Sequence, residues 1–260
     1  MTGFREEISA ARQAVRSLDR RTVVVLTVSA VLVILQMKFG SRRLFRLELA
    51  ETLSLPDTEL FAWGWWFIMQ GTLGFIIPVL ILKFGFSQTR EQMGLGLGDW
   101  KFAGVIASLY IPVVLAGTWV LSDGATFQDN YPHLKEASTS WRVFFIYQAL
   151  FLFYWVGWEY LWRGFVLFGT RHSLGLYAIF VQALPFAILH YAKPLPEAML
   201  SVVGGILLGA LVWRTGSFWI AVPIHWIQMF SLDLFSVLRT RSGISGSGLS
   251  SILEMIRFGF

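Results

Sequence analysis

Long apolar runs recur from residue 22 onward, and no soluble fold has room for so many of them. The runs at 22–37, 60–82, 102–122, 143–170, 173–192, 198–213 and 215–232 each approach the ~20 residues that a helix needs to cross a ~30 Å hydrocarbon core. Only 14% of the 260 residues are charged and 55% are hydrophobic, with a mean hydropathy of +0.61. Soluble domains carry about 25% charged residues. The expectation is an all-α, polytopic transmembrane helical bundle of seven spans, with an eighth if a weak or re-entrant segment lies near the C-terminus.

Three regions follow. Residues 1–21 are polar, and Phe4, Ile8, Ala11, Val15 and Leu18 share one helical face, as in an amphipathic helix lying at the membrane surface. The charged leader lacks a small-residue cleavage site, so the run at 22–37 reads as an anchor. Residues 22–238 form the transmembrane domain, with a chemistry-bearing core at about 140–235. Residues 239–260 form a C-terminal interfacial segment, in which Leu249, Ile252, Leu253 and Ile256 fall at helical spacing after a Ser/Gly linker.

Glycines punctuate the runs. Gly64, Gly71, Gly74 and Pro78 in the second predict close packing or a kink, and Gly204, Gly205 and Gly209 predict close contact with a neighbouring helix, one that carries site residues. The alternation Met-Gly-Leu-Gly-Leu-Gly ending at Gly98 follows no strand and reads as loop. The chain has no cysteine, which excludes disulfides, thiolate metal ligands and a Cys nucleophile. Its net charge of +5 is scattered through short loops, which suits anionic lipid headgroups and not nucleic acid. Lys and Arg divide almost evenly between the two sides of a seven-span topology, so charge sets no orientation.

The chemistry concentrates after residue 158. Glu159 and Arg163 are four residues apart in the fourth run, on one helical face where they can pair. Either alone near a bilayer centre costs about 2.5–3.5 kcal/mol. His190 and His225 each stand inside their own apolar run. A carboxylate and two imidazoles on three segments are the parts that bind and activate a water molecule. The same three would make a two-His, one-Glu zinc site, although no His-Glu-x-x-His pair is present. Proton-coupled carriers also use buried ionisable groups and glycine-broken helices; against that reading, the two halves of the chain show no repeat.

Three ordered stretches carry a resemblance: Glu159-Tyr-Leu-Trp-Arg163-Gly164-Phe-Val-Leu, Phe186-Ala-Ile-Leu-His190, and Gly205-Ile-Leu-Leu-Gly209 leading through Arg214-Thr-Gly-Ser-Phe-Trp to His225. The segment resembles the CAAX protease and bacteriocin-processing (CPBP, or Abi) family of intramembrane proteases. The resemblance implies the all-helical bundle of the Ras-converting prenyl endopeptidase. It also implies peptide-bond hydrolysis in the membrane by a glutamate-activated water, with Glu159, His190 and His225 catalytic and Arg163, Gln228 and Phe186 in support. It implies no resident metal or cofactor, zinc being the exception to test. The partners are then a membrane-associated protein or peptide substrate and the lipid bilayer, and the location is a prokaryotic cytoplasmic membrane.

Two positions depart from the family pattern. Its first motif usually reads Glu-Glu-x-x-x-Arg, and Trp158 stands where the first glutamate belongs; its third usually reads His-x-x-x-Asn, and Met229 stands at the Asn. Gln228 is the expected substitute amide, on the same general face as His225. A catalytically silent scaffold is the alternative. Phe151, Phe153, Trp155, Trp158 and Trp162 would line an apolar substrate channel, or for about half of them simply face lipid.

Overall fold

A computed structural model describes residues 2–56 and 58–258, with side chains for 6–56, 58–255 and 257, and it is all-helical, with no strand among the described residues. Nine principal helices follow one another among the described residues: α1 Thr2–Ser17, α2 Arg20–Phe39, α3 Glu59–Gly85, α4 Trp100–Leu121, α5 141–174, α6 Tyr177–Ile188, α7 Leu195–Thr215, α8 Ala221–Ser242 and α9 Leu249–Phe258. A short helix at 42–52 follows α2 after a break at Gly40. Polar side chains set the starts. Asp19, Ser41, Thr58, Asp99 and Ser140 each accept a backbone N–H from the first turn of the helix that follows, satisfying a donor that has no intrahelical partner. Gly216 and Gly243, at φ +71° and +70°, end α7 and α8 in a conformation that other residues adopt only at a cost.

Among the described residues, five helical stretches are long and apolar enough to cross a membrane: Arg20–Thr52 (α2 with the short helix that follows it), Glu59–Gly85, Trp100–Leu121, Leu195–Thr215 and Phe218–Ser242. The expected fourth and fifth spans differ for physical reasons. α6 has 12 residues, which at 1.5 Å each reach only ~18 Å. α5 is long but aromatic and polar, and its second half is enclosed: every residue from Gly157 to Thr170 is buried, while on the first half Phe144, Tyr147, Gln148, Phe151 and Trp155 are buried and Phe145, Ile146 and Leu152 stay exposed. α5 packs against α3 and α8, α4 against α8, and α6 against α7.

The amphipathic ends behave differently from each other. Val15 and Leu18 are 66% and 58% exposed and Ile8 is partly exposed. α9 instead docks: Met255 is buried with Trp119 and Leu238, while Leu249 and Leu253 stay exposed. Phe4 and Ile256, assigned to these faces by their spacing, lie outside the described side chains. α8 runs on to Ser242, through the boundary expected at 238, and Arg239 ties it to α4 by donating to Ser122 Oγ at 2.8 Å and the Trp119 carbonyl at 3.1 Å.

Two glycine contacts fix the core. A Cβ on Gly157 would overlap the Gln70 carbonyl oxygen and stand 2.6 Å from Gly71 Cα; a Cβ on Gly74 would overlap the Gly157 carbonyl. α3 and α5 therefore touch backbone to backbone, two residues before Glu159. The α7 glycines face α6, the helix that leads to His190: Gly205 lies against Phe186 and Gly209 against Gln182, whereas Gly204 faces open space. Gly157→Ala is expected to lower stability in detergent by about 1–3 kcal/mol, the range of overpacked cores, while Gly204→Ala leaves it unchanged. Superimposable melting curves for the two variants would refute this contact. The glycine-rich stretch before α4 is indeed loop: the Phe218 N–H donates to the Gly94 carbonyl at 3.0 Å and the Asp99 N–H to the Thr215 carbonyl at 2.8 Å, stitching it to the α7–α8 turn.

Candidate active site

Glu159 closes the regular part of α5, and residues Tyr160–Val166 continue it as a π-helix. The glutamate and Arg163 are both fully buried. Arg163 Nη1 donates to Glu159 Oε1 at 3.2 Å, which is the pairing that the four-residue spacing implies. The same oxygen lies 2.6 Å from Nδ1 of His225, contributed by α8. One carboxylate oxygen thus gathers a guanidinium and an imidazole, while Oε2 has no hydrogen-bond partner among the described residues. Hydrogen bonds of this charge-assisted kind are short and strong, and a buried carboxylate without them would be untenable.

The second imidazole joins through an aromatic ring. His190 sits just past the end of α6, its Nδ1 2.7 Å from the Phe186 carbonyl. A carbonyl only accepts, so Nδ1 carries the proton and donates, leaving Nε2 with its lone pair free. The Phe186 ring lies 4.5 Å from the His190 ring and 5.9 Å from the His225 ring, centroid to centroid. Its face meets the Arg163 guanidinium at 3.9 Å, a cation–π contact that helps hold the charge in an apolar setting. Phe186 is accordingly the hinge of the constellation: carbonyl to one histidine, ring to the other, face to the arginine.

The other expected site residues are placed as follows. Trp158, in the family's glutamate position, packs 6.3 Å from His190 and 6.0 Å from Phe186 and forms a wall of the site. Gln228 turns elsewhere: its Oε1 accepts from Tyr110 Oη of α4 at 3.3 Å and bonds neither Glu159 nor either histidine. Met229 is buried. Phe151, Trp155, Trp158 and Trp162 are all buried, which corrects the lipid-facing reading for these four; the Trp155 ring lies 4.0 Å from that of His225. Tyr154 went unrecognised in the sequence although it stands four residues before Trp158; its ring stacks on that indole at 5.8 Å and 12°. As for zinc, no group of three His, Cys, Asp or Glu side chains placed to hold a metal ion occurs among the described residues.

A comparison with family models matches residues 139–231 to the type II CAAX prenyl endopeptidase Rce1-like family. The match spans α5 through the middle of α8, the same stretch that carries all three motifs. No curated protein and no solved structure matches the chain.

Proposed function

We propose that this protein is an intramembrane endopeptidase whose hydrolytic water is activated by Glu159 together with His225; the match of residues 139–231 to the Rce1-like family, which points to hydrolysis of membrane-associated protein substrates, supports the reading. The observation that carries the reading is the 2.6 Å contact of a fully buried carboxylate with an imidazole from another helix. With Nδ1–H held by Glu159, the Nε2 of His225 is the basic atom. It takes a proton from water as the oxygen attacks the scissile carbonyl carbon, and the carboxylate stabilises the imidazolium that forms. Collapse of the tetrahedral intermediate breaks the C–N bond, and the same nitrogen returns the proton to the leaving amine. His190 lies on the other side of Phe186, where it orients the water or the substrate carbonyl. Trp155 and Trp158 supply the apolar wall for a substrate segment.

In this reading residues 22–238 are the peptidase domain. Five helices are long enough to cross, and α5 and the shorter α6 join them in one bundle, in a prokaryotic cytoplasmic membrane. Substrates are membrane-associated or C-terminally tagged proteins and peptides. The test is co-expression of the full chain with prenylated and tagged candidate substrates, followed by mass analysis of the products. Cleavage is expected to withstand a membrane-permeant chelator. It should fall by about 10²-fold or more in His190→Ala as orientation and charge stabilisation are lost. Full activity in a folded His190→Ala protein would remove His190 from the site, and activity lost to chelator and restored by zinc would replace this mechanism with a metal-dependent one.

A further inference from the structure

At the end of α2, where the apolar run gives way to charge, a cleft of about 480 Å³ is lined by Arg42, Arg43, Arg46 and Leu47. The sequence builds it in one turn: Ser41 caps the helix at 42–52 by accepting from the Leu44 N–H at 3.2 Å, and positions 42, 43 and 46 follow within that helix's first turns. Three arginines line one opening at the positive end of the helix dipole. Among the described residues the carboxylate that pairs with them is Glu59, which binds Arg46 and lies 3.7 Å from Arg42. Arg42 is further pinned with its guanidinium 3.9 Å over the Trp63 ring, and its buried Nε has no hydrogen-bond partner among the described residues. Arg43 is exposed and makes no ion pair among the described residues. Glu59 therefore arranges two of the arginines without neutralising the three.

We infer that this cleft binds the phosphate group of an anionic phospholipid. The charge and fork geometry of guanidinium suit a phosphate, and the surroundings select its source. Leu47 in the cleft wall is 65% exposed and Phe39, at the end of α2, is 55% exposed. The Trp65 indole N–H donates to the Phe39 carbonyl at 2.9 Å, the arrangement of a tryptophan at a membrane–water boundary. An acyl chain has apolar surface to lie on beside the headgroup, which a free phosphate would not use. This site stands apart from Glu159 and the histidines and does not rest on the peptidase reading.

The test uses the full-length protein purified in detergent, with phosphatidylglycerol or phosphatidylcholine added and bound lipid counted by native mass spectrometry. The parent is expected to retain phosphatidylglycerol preferentially. Arg43→Gln, exposed and unpaired and so harmless to the fold, should reduce that preference about five-fold, the worth of one basic residue at an anionic surface. Arg43→Gln with Arg46→Gln should abolish it. Equal retention of the two lipids by the parent, or an unchanged preference in Arg43→Gln, overturns the proposal. Displacement of phosphatidylglycerol by inorganic phosphate at matched concentration would also overturn it, because the cleft would then be reading a soluble anion.

Discussion

Glu159→Gln is expected to lower cleavage by about 10²–10⁴ while the protein still folds, because glutamine keeps the size and a carbonyl oxygen for the His225 and Arg163 contacts but cannot carry the negative charge. A melting curve checks the fold separately. Since the proposed route runs through the imidazole, the double variant Glu159→Gln/His225→Ala should be no slower than His225→Ala alone; residues that act as one unit are strongly non-additive. Multiplicative losses would instead mean that the carboxylate takes the proton directly. Retained cleavage in folded Glu159→Gln would make the acid structural and show that the His225 base works without its carboxylate.

Arg163→Ala is expected to cost about 3–5 kcal/mol of stability, because removing one partner of a fully buried pair strands the other charge. Denaturation in detergent reads this out. His225 still faces Glu159 Oε1 in that variant, so a loss near the lower end fits the geometry. Glu159→Gln/Arg163→Ala should be more stable than Arg163→Ala alone, since the stranded charge is then gone. An Arg163→Ala protein as stable as the parent but inactive would transfer the arginine from the scaffold to the chemistry.

Several of these features are legible in the residues alone. The bundle was readable because apolar runs at membrane length have few other destinations. Glu159 with Arg163 was readable because four residues on a helix make neighbours. The contact between Glu159 and His225 was not, since 66 residues separate them and only the packing of α8 on α5 brings them together. Hydropathy sets α5 apart from the five longer apolar helices, but it does not say that the half carrying Glu159 is enclosed by protein while Phe145 and Ile146 stay exposed. Gln228 shows the limit of face arithmetic. Three residues after His225 it lies on the same general side, yet the neighbouring helix offers Tyr110 and the amide goes there. Gly204 teaches the same lesson beside Gly205, because a strip of small residues does not say which of them meets the partner.

The π-helical stretch Tyr160–Val166 means that α5 carries surplus chain inside a helix that is otherwise α. Each wide turn retards the winding, so the residues after 166 emerge at a different azimuth from the one that a uniform helix beginning at Trp141 would give them, by about 100° for each surplus residue. The two ends of α5 can therefore each present their own correct face to separate neighbours, α3 upstream and α2 and α6 downstream. Shortening the stretch by one residue would leave every side chain chemically intact and still break the protein, by turning one half of its central helix away from the partners that the other half has already chosen.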